Sequence, residues 1–300
     1  MTDWLLSIEG TQVGHQVALG LALLAAILHA LFGALQKGRH DPWLSRGAID
    51  ICYLGLAAPF ALFVVPWPEP HMWPIFAGVI VIHVGYKLAQ AQTYSKGSYT
   101  VVYPVVRGTS PVFTVFGAYL LFGEVFTTLQ WLGVAVLVSG IFGLAGYNLR
   151  TVKVNRDTLV PALWLALLTG VFVALYTTYD AYGIRATADP FTFLAWFFML
   201  DGIVMPVIAY RRWRAMPARP ILGPLFVRGI IGAVVAIFSF GSILMATRLD
   251  TVGQAAVLRE TSVVFAALIG WLVLKERVGC VQLALMLLIA AGAVLVEMGG

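Results

Sequence analysis

Ten apolar stretches of membrane-spanning length, separated by short polar breaks, occupy most of the 300-residue chain. A crossing needs about 20 apolar residues. The pattern therefore predicts helices over roughly 16–36, 47–66, 72–94, 98–122, 128–147, 160–183, 190–210, 222–246, 252–274 and 278–298. The longest connections, 37–46, 148–159 and 211–221, leave no room for a soluble domain. The N-terminal MTDWLLSIEG has no basic region and no cleavage site follows it, so the first stretch reads as a retained span. The fourth stretch is the unusual one: it carries Arg107 near its middle, between Pro104 and Pro111. A charge deep in a span costs at least about 2.5–3.5 kcal/mol and calls for a partner or a water-filled path. Each proline also removes an intrahelical hydrogen bond.

Composition narrows the class. The chain is 60% hydrophobic and only 11% charged, against about 25% charged in soluble domains. The net charge of +5 is modest, and its basic residues fall between the spans, which sets topology and excludes a nucleic-acid partner. Counting loops alternately, one side receives Lys37, Arg39, Arg46, Lys96, Arg150, Lys153, Arg156, Arg211, Arg212, Arg214, Arg219, Lys275 and Arg277, and the other only Arg185 and Arg248. The positive-inside rule then places both termini outside a cell (plasma or inner) membrane. Cys52 and Cys280, both in apolar context, read as small hydrophobic residues and exclude a disulfide framework.

Residues 97–146 align without a gap on 249–298, at a fixed offset of 152. Matches of Leu, Val and Phe mean little in membrane spans. Arg107/Arg259, Thr109/Thr261, Ser110/Ser262, Glu124/Glu276, Gln130/Gln282 and Gly140/Gly292 mean more. Asp41-Pro42 after the first span is echoed by Asp189-Pro190 after the sixth. Two halves of five spans follow, 1–150 and 151–300. An odd number of spans per half makes them insert in opposite senses, which is the inverted-repeat plan of secondary transporters, with a site between halves near the midplane.

The pattern YPVVRGTSPVF…LLFGE…Q…G, with its echo VLRETSVVFAALIGWLVLKE, resembles the EamA family of the drug/metabolite transporter superfamily, and ILHALFGALQK resembles the start of one branch of it. The resemblance covers nearly the whole chain, once per half. It implies an all-α membrane protein of ten helices, in two inverted five-helix repeats around a central cavity that opens alternately to each side. It also implies export of amino acids, metabolites or toxic small molecules. The family's N-terminus is commonly described as cytoplasmic, and the charge count departs from that.

Several intramembrane residues are candidates for chemistry. Arg107 and Arg259 suit a carboxylate or phosphate, and the competing reading is an ion pair that holds helices together, with Asp180, Asp201 or Glu260 as partner. Pro104, Arg107, Ser110 and Pro111 share one helix face, with Ser262 matching Ser110 in the second half. The second copy lacks both prolines, so the first is expected to be the pliable one, with Pro104 and Pro111 as its hinge against the plainer reading of a simple kink. Tyr103 lies one turn before Arg107. Lys87 and His83 share a face of the third span, beside Tyr86, and His29 lies inside the first. These can bind substrate or relay a proton, or can snorkel and brace. Tyr176 and Tyr179 offer aromatic surface to a small organic solute or form an interfacial belt. Asp180, Asp201, Glu260 and His83 are the coupling or ion-pair candidates. Glu124 and Glu276, at span ends, read as caps or tethers.

The expected function is secondary transport of a small polar or amphipathic metabolite, anionic or zwitterionic, with a proton or counter-solute as coupling partner. No metal and no cofactor are expected. No GxxxxGK[ST] loop supports ATP drive, and no HExxH or GxSxG motif supports catalysis. An intramembrane lipid-modifying enzyme, a lipid or headgroup flippase and a non-transporting sensor are the rival readings.

Overall fold

A computed structural model describes residues 2–36, 41–97, 99–151, 156–272 and 279–300. Glu276, and Lys37, Arg39, Lys153, Lys275 and Arg277 of the charge count, lie outside the described residues. Every described element is helical: α1 (Thr2–Ile8), α2 (Gln12–Gln36), α3 (Pro42–Phe63), α4 (Met72–Lys96), α5 (Tyr99–Phe122), α6 (Thr128–Thr151), α7 (Arg156–Ala186), α8 (Pro190–Asp201), α9 (Val204–Ala215), α10 (Leu222–Leu249), α11 (Val252–Arg259), α12 (Ser262–Leu272) and α13 (Cys280–Met298). Among the described residues, ten segments are long and apolar enough to cross a membrane, with α8–α9 and α11–α12 each forming one broken crossing. The protein is a multi-pass membrane protein. Both described chain ends lie on one face, the terminus side.

Paired sequence signals start the helices. Asp41 accepts from the amides of Trp43 and Leu44, and Asp189 from that of Phe191, each with proline next in the chain. Proline at the first helical position loses only an amide that has no intrahelical partner. The matched glutamines act alike: Gln130 Oε1 takes the Thr127 amide at 2.9 Å and Gln282 Oε1 the Gly279 amide at 3.0 Å. The Gln match across the repeat is thus a helix-capping signal.

The halves, α2–α6 and α7–α13, interlock. Helix α10 packs along α2, and its counterpart α4 packs along α7. Helix α5 packs on α7, and its counterpart α11–α12 on α2. The symmetry-related α6 and α13 pack on each other. At that seam Gly133 faces the backbone of Gly292 and Val296, and Gly140 faces Ile289 and Leu285. Gly143 faces Leu285, whereas Gly146 looks into open space. Close approach of small residues is what drives helix association where lipid is as apolar as the side chains.

Helix α5 runs unbroken through Pro104 and Pro111. Pro111 leaves the Arg107 carbonyl without its helical donor, and the Ser110 hydroxyl stands 3.4 Å from that oxygen as a replacement. The copy without prolines is the broken one: α11 stops at Arg259, and α12 restarts at Ser262. In the seventh crossing α8 ends at Asp201, two residues before α9 begins its first turn around Pro206.

A Cβ on Gly292 would press on the Leu137 amide and the Gly133 carbonyl. Gly292→Leu is expected to cost about 1–3 kcal/mol, the usual range for overpacking, read as a lower midpoint of thermal unfolding in detergent. Gly146→Leu is expected to leave the midpoint unchanged. Equal midpoints for both variants would remove the seam from the account.

Candidate functional site

Two buried charged clusters lie near the middle of the bundle. The first is centred on Lys87 of α4. Its Nζ lies 2.6 Å from Asp50 Oδ2 and 2.8 Å from each of Asp201 Oδ2, the Asp201 carbonyl and Tyr53 OH. The Asp201 carbonyl is available because α8 ends there, so the lysine satisfies a group that the helix break frees. Tyr53 OH donates to Asp201 Oδ2 at 2.5 Å. Asp50 pairs through Oδ1 with Arg46 Nε at 2.8 Å, one turn earlier in α3. His83 Nε2 meets Asp180 Oδ2 at 2.8 Å, and Nδ1 stands 3.7 Å from Asp201 Oδ1. Three carboxylates therefore face an ammonium, a guanidinium and one imidazole.

The second cluster sits at the broken crossing. Arg107 Nε pairs with Glu260 Oε2 at 2.7 Å, and Arg107 Nη2 reaches Ser262 Oγ at 3.4 Å. The Ser110 hydroxyl lies 3.2 Å from Glu260 Oε1. Arg259 is held more loosely: Nη2 lies 3.3 Å from Thr177 Oγ1 and 3.9 Å from Glu260 Oε1. In a continuous helix, neighbours such as Arg259 and Glu260 point apart. The break between α11 and α12 brings them together. One carboxylate serves two guanidinium groups, leaving one positive charge in excess.

Between the halves lies a cavity of about 70 Å³, large enough for a few water molecules. The first half lines it with His29 and Phe32 of α2, Arg46 and Tyr53 of α3 and His83 and Tyr86 of α4. The second half adds Tyr176 of α7, Phe197, Phe198 and Asp201 of α8, and Ser239 and Phe240 of α10. The aromatic rings form a continuous lining, with Phe197 stacked on Phe240 at 5.1 Å and His83 at 4.8 Å from Tyr176. His29 lines this space without a hydrogen bond to any other described residue.

On the terminus side, polar contacts link the elements. Gly123, at φ 67, ends α5 in the left-handed conformation that glycine tolerates. Glu124 then reaches into the other half, accepting the amides of Val252 at 2.7 Å and Gly253 at 2.9 Å and so capping α11. Arg185 donates to the carbonyls of Thr247 at 2.8 Å and Asp250 at 2.6 Å, and Arg248 engages Glu9 and the Ile184 carbonyl. His15 bridges Asp250 at 2.5 Å and Glu297 at 3.2 Å. In the loop before α4, burial pushes the Glu69 carboxyl up. The amides of Ala188 and Glu69 itself, with the Thr187 hydroxyl, outweigh that and hold it below the usual carboxylate range.

Of the residues singled out in the sequence, His29, His83, Tyr86, Tyr176 and Asp201 line the cavity. Lys87 is sealed behind its wall, and Asp180 is bonded to His83. Arg107, Arg259, Ser110, Ser262 and Glu260 are gathered in the second cluster, with Tyr103 buried one turn away. Tyr179 packs over Gly78 and Tyr182, apart from the cavity. Sequence reasoning missed Arg46, Asp50, Tyr53, Phe197, Phe198 and Phe240. The hydropathy pattern leaves Arg46 in the 37–46 loop, whereas α3 begins at Pro42 and carries it into the bundle. The spacing of Arg46 and Asp50, one helical turn apart beside an apolar run, was the available signal.

Removing one partner from a buried ion group costs about 3–5 kcal/mol, because the remaining charges stay desolvated. Lys87→Met is expected to lose that much, read as a lower unfolding midpoint, and Lys87→Met/Asp201→Asn to recover part of it. A Lys87→Met midpoint equal to wild type would show that the cluster does not hold the helices.

The comparisons agree with this architecture. The EamA-like transporter family matches twice, over residues 16–146 and 160–298. No curated protein matches in sequence. A solved structure titled "Crystal structure of protein" superposes with a TM-score of 0.74 over 95% of this chain and 98% of its own, at 17% identity, a likeness of fold. With ten crossings in two interlocked halves and the family's repeat found once in each, the chain belongs to the EamA-like transporter family of the drug/metabolite transporter superfamily.

Proposed function

We propose that the protein is a secondary transporter that exports a small polar or amphipathic metabolite, anionic or zwitterionic, by alternating access. The observation that carries the reading is the cavity: both halves supply its lining, and contacts such as the Glu124 cap on α11 join the halves on the terminus side. Relative movement of the halves would widen such a space on one side and close it on the other. In this reading the membrane is the cell membrane and the terminus side faces out, as the charge count requires. His29, Tyr86 and Tyr176 contact the solute. Arg107, Arg259, Ser110, Ser262 and Tyr103 act at the junction of the halves, where Arg259 is held by long contacts only. Pro104 and Pro111 give α5 the compliance to follow, and Lys87 and Tyr179 brace the walls. His83, with Asp180, Asp201 and Glu260, is the coupling group: its two ring nitrogens face two different carboxylates, Asp180 and Asp201. A counter-solute is the alternative coupling partner.

Two measurements test this. With Cys52 and Cys280 replaced, a cysteine at Ser239 is expected to react with a membrane-impermeant maleimide from the side opposite the termini. Reaction from the terminus side alone would contradict this reading. In liposomes screened with metabolite mixtures, flux without chemical change is expected, falling by about tenfold or more in Arg107→Ala and Arg259→Ala at matched insertion, since each leaves buried groups unpaired. Chemical conversion of a solute would favour an enzyme, and unchanged flux in both variants would remove the arginines from the mechanism.

A further inference from the structure

Beside the central cavity lies a second space of different chemistry. It is a cleft of about 560 Å³ between α3, α8 and α10, walled by apolar side chains such as Leu56, Ala57, Leu194, Ala195 and Ile237. Its volume falls within the range of about 300–1,000 Å³ usual for pockets that bind small molecules. Its rim residues Phe60 and Phe238 are 58% and 61% exposed, so it opens sideways toward lipid. Phe198 lines both spaces. The cavity is lined by polar and aromatic side chains, the cleft by apolar ones, and Phe198 is common to both.

The charges on the cavity wall differ in what they have left to offer. Asp201 Oδ2 is taken by Lys87 and Tyr53, and its Oδ1 is buried beside His83. Arg46 spends only Nε on Asp50. Its Nη1 and Nη2 make no hydrogen bond or ion pair with another described residue, and the side chain lines the cavity. The free edge of a guanidinium is a fork matched to a carboxylate or phosphate. The charge capacity presented to a solute is therefore cationic.

We propose that the transported solute is an amphipathic anion whose acidic head binds the free edge of Arg46 in the central cavity while its apolar tail passes Phe198 into the cleft. This rests on the transport reading and supplies its substrate class. A head held in the cavity with a tail in the cleft keeps each part in matching surroundings. A purely polar solute of the same charge gains nothing from the cleft. A cation finds the one carboxylate on the cavity wall, Asp201, already paired with Lys87 and Tyr53 through Oδ2 and with its Oδ1 buried beside His83.

The test uses the full chain in lipid nanodiscs, with empty discs as reference, and measures binding of butyrate, octanoate and octanamide by calorimetry. Octanoate is expected to bind about tenfold or more tighter than octanamide, the scale of a charge-assisted hydrogen-bond pair, and also tighter than butyrate. Arg46→Gln is expected to abolish the preference for acid over amide. Ala195→Phe, which fills the cleft without touching Arg46, is expected to abolish the preference for octanoate over butyrate and to keep the acid preference. Should Arg46→Gln fail to fold, Arg46→Lys, which keeps the charge and loses the fork, is expected to weaken octanoate at least severalfold. Equal binding of acid and amide, or a chain-length preference that survives Ala195→Phe, overturns the proposal, and so does absence of binding by every probe. Liposome flux of solutes lacking a charge or a tail, together with equal acid and amide binding, defeats this inference and leaves transport standing. Octanoate binding as described with no flux of any solute defeats the transport reading instead.

Discussion

The buried ammonium of Lys87 is the constraint around which the first half is arranged. Its side chain is fully buried, so two carboxylates, a phenol and a freed backbone carbonyl converge on it. That convergence ties α4 to α3 and to the end of α8 in the opposite half. It also explains where α8 stops: the carbonyl that a continuing helix would use is the one the lysine takes. Arg46 then balances the second oxygen of Asp50, and His83 stands between Asp180 and Asp201. Each partner is in place because the previous one left a charge unmet.

The two charged clusters divide the work of the midplane. The first is densely bonded and lines the cavity through Arg46, Tyr53, His83 and Asp201. The second is sparsely bonded at Arg259 and sits where the ninth crossing is broken. A tight cluster fixes helices relative to one another. A sparse one at a helix break stores little that movement would have to undo. The inverted repeat thus carries the same arginine twice but in different settings: Arg107 inside an unbroken helix with a short ion pair, Arg259 at an interruption with long contacts.

Much of the architecture was legible in the sequence, because bilayer thickness imposes a length on each span and the offset repeat imposes the number of halves. The pairing of Arg107 with Glu260 was within reach as well, since a buried arginine needs an acid and few acids exist in the spans. The location of the break was not. Prolines argue for it locally in α5, yet the Ser110 hydroxyl repairs that helix, while the interruption in the other copy depends on Thr177, Ser110 and Arg107 arriving from other helices. Arg46 was misplaced for a related reason: a span boundary read from hydropathy stops at the first charge, and only the Asp50 partner shows that the charge belongs inside. The aromatic lining from Phe197, Phe198 and Phe240 was invisible, because phenylalanine in a span looks the same whether it faces lipid, core or cavity.

The cap that Glu124 places on α11 has a consequence for the rate of any opening on the terminus side. Its carboxylate and the amides of Val252 and Gly253 are bound across the junction of the halves. They cannot part into a dry gap, since a carboxylate and two amides stripped of partners would cost several kcal/mol. Water must arrive as they separate. Hydration of that junction and its opening are then one event, and the barrier is set by how readily a narrow, half-apolar crevice admits its first few solvent molecules, before the rest of the helix has moved.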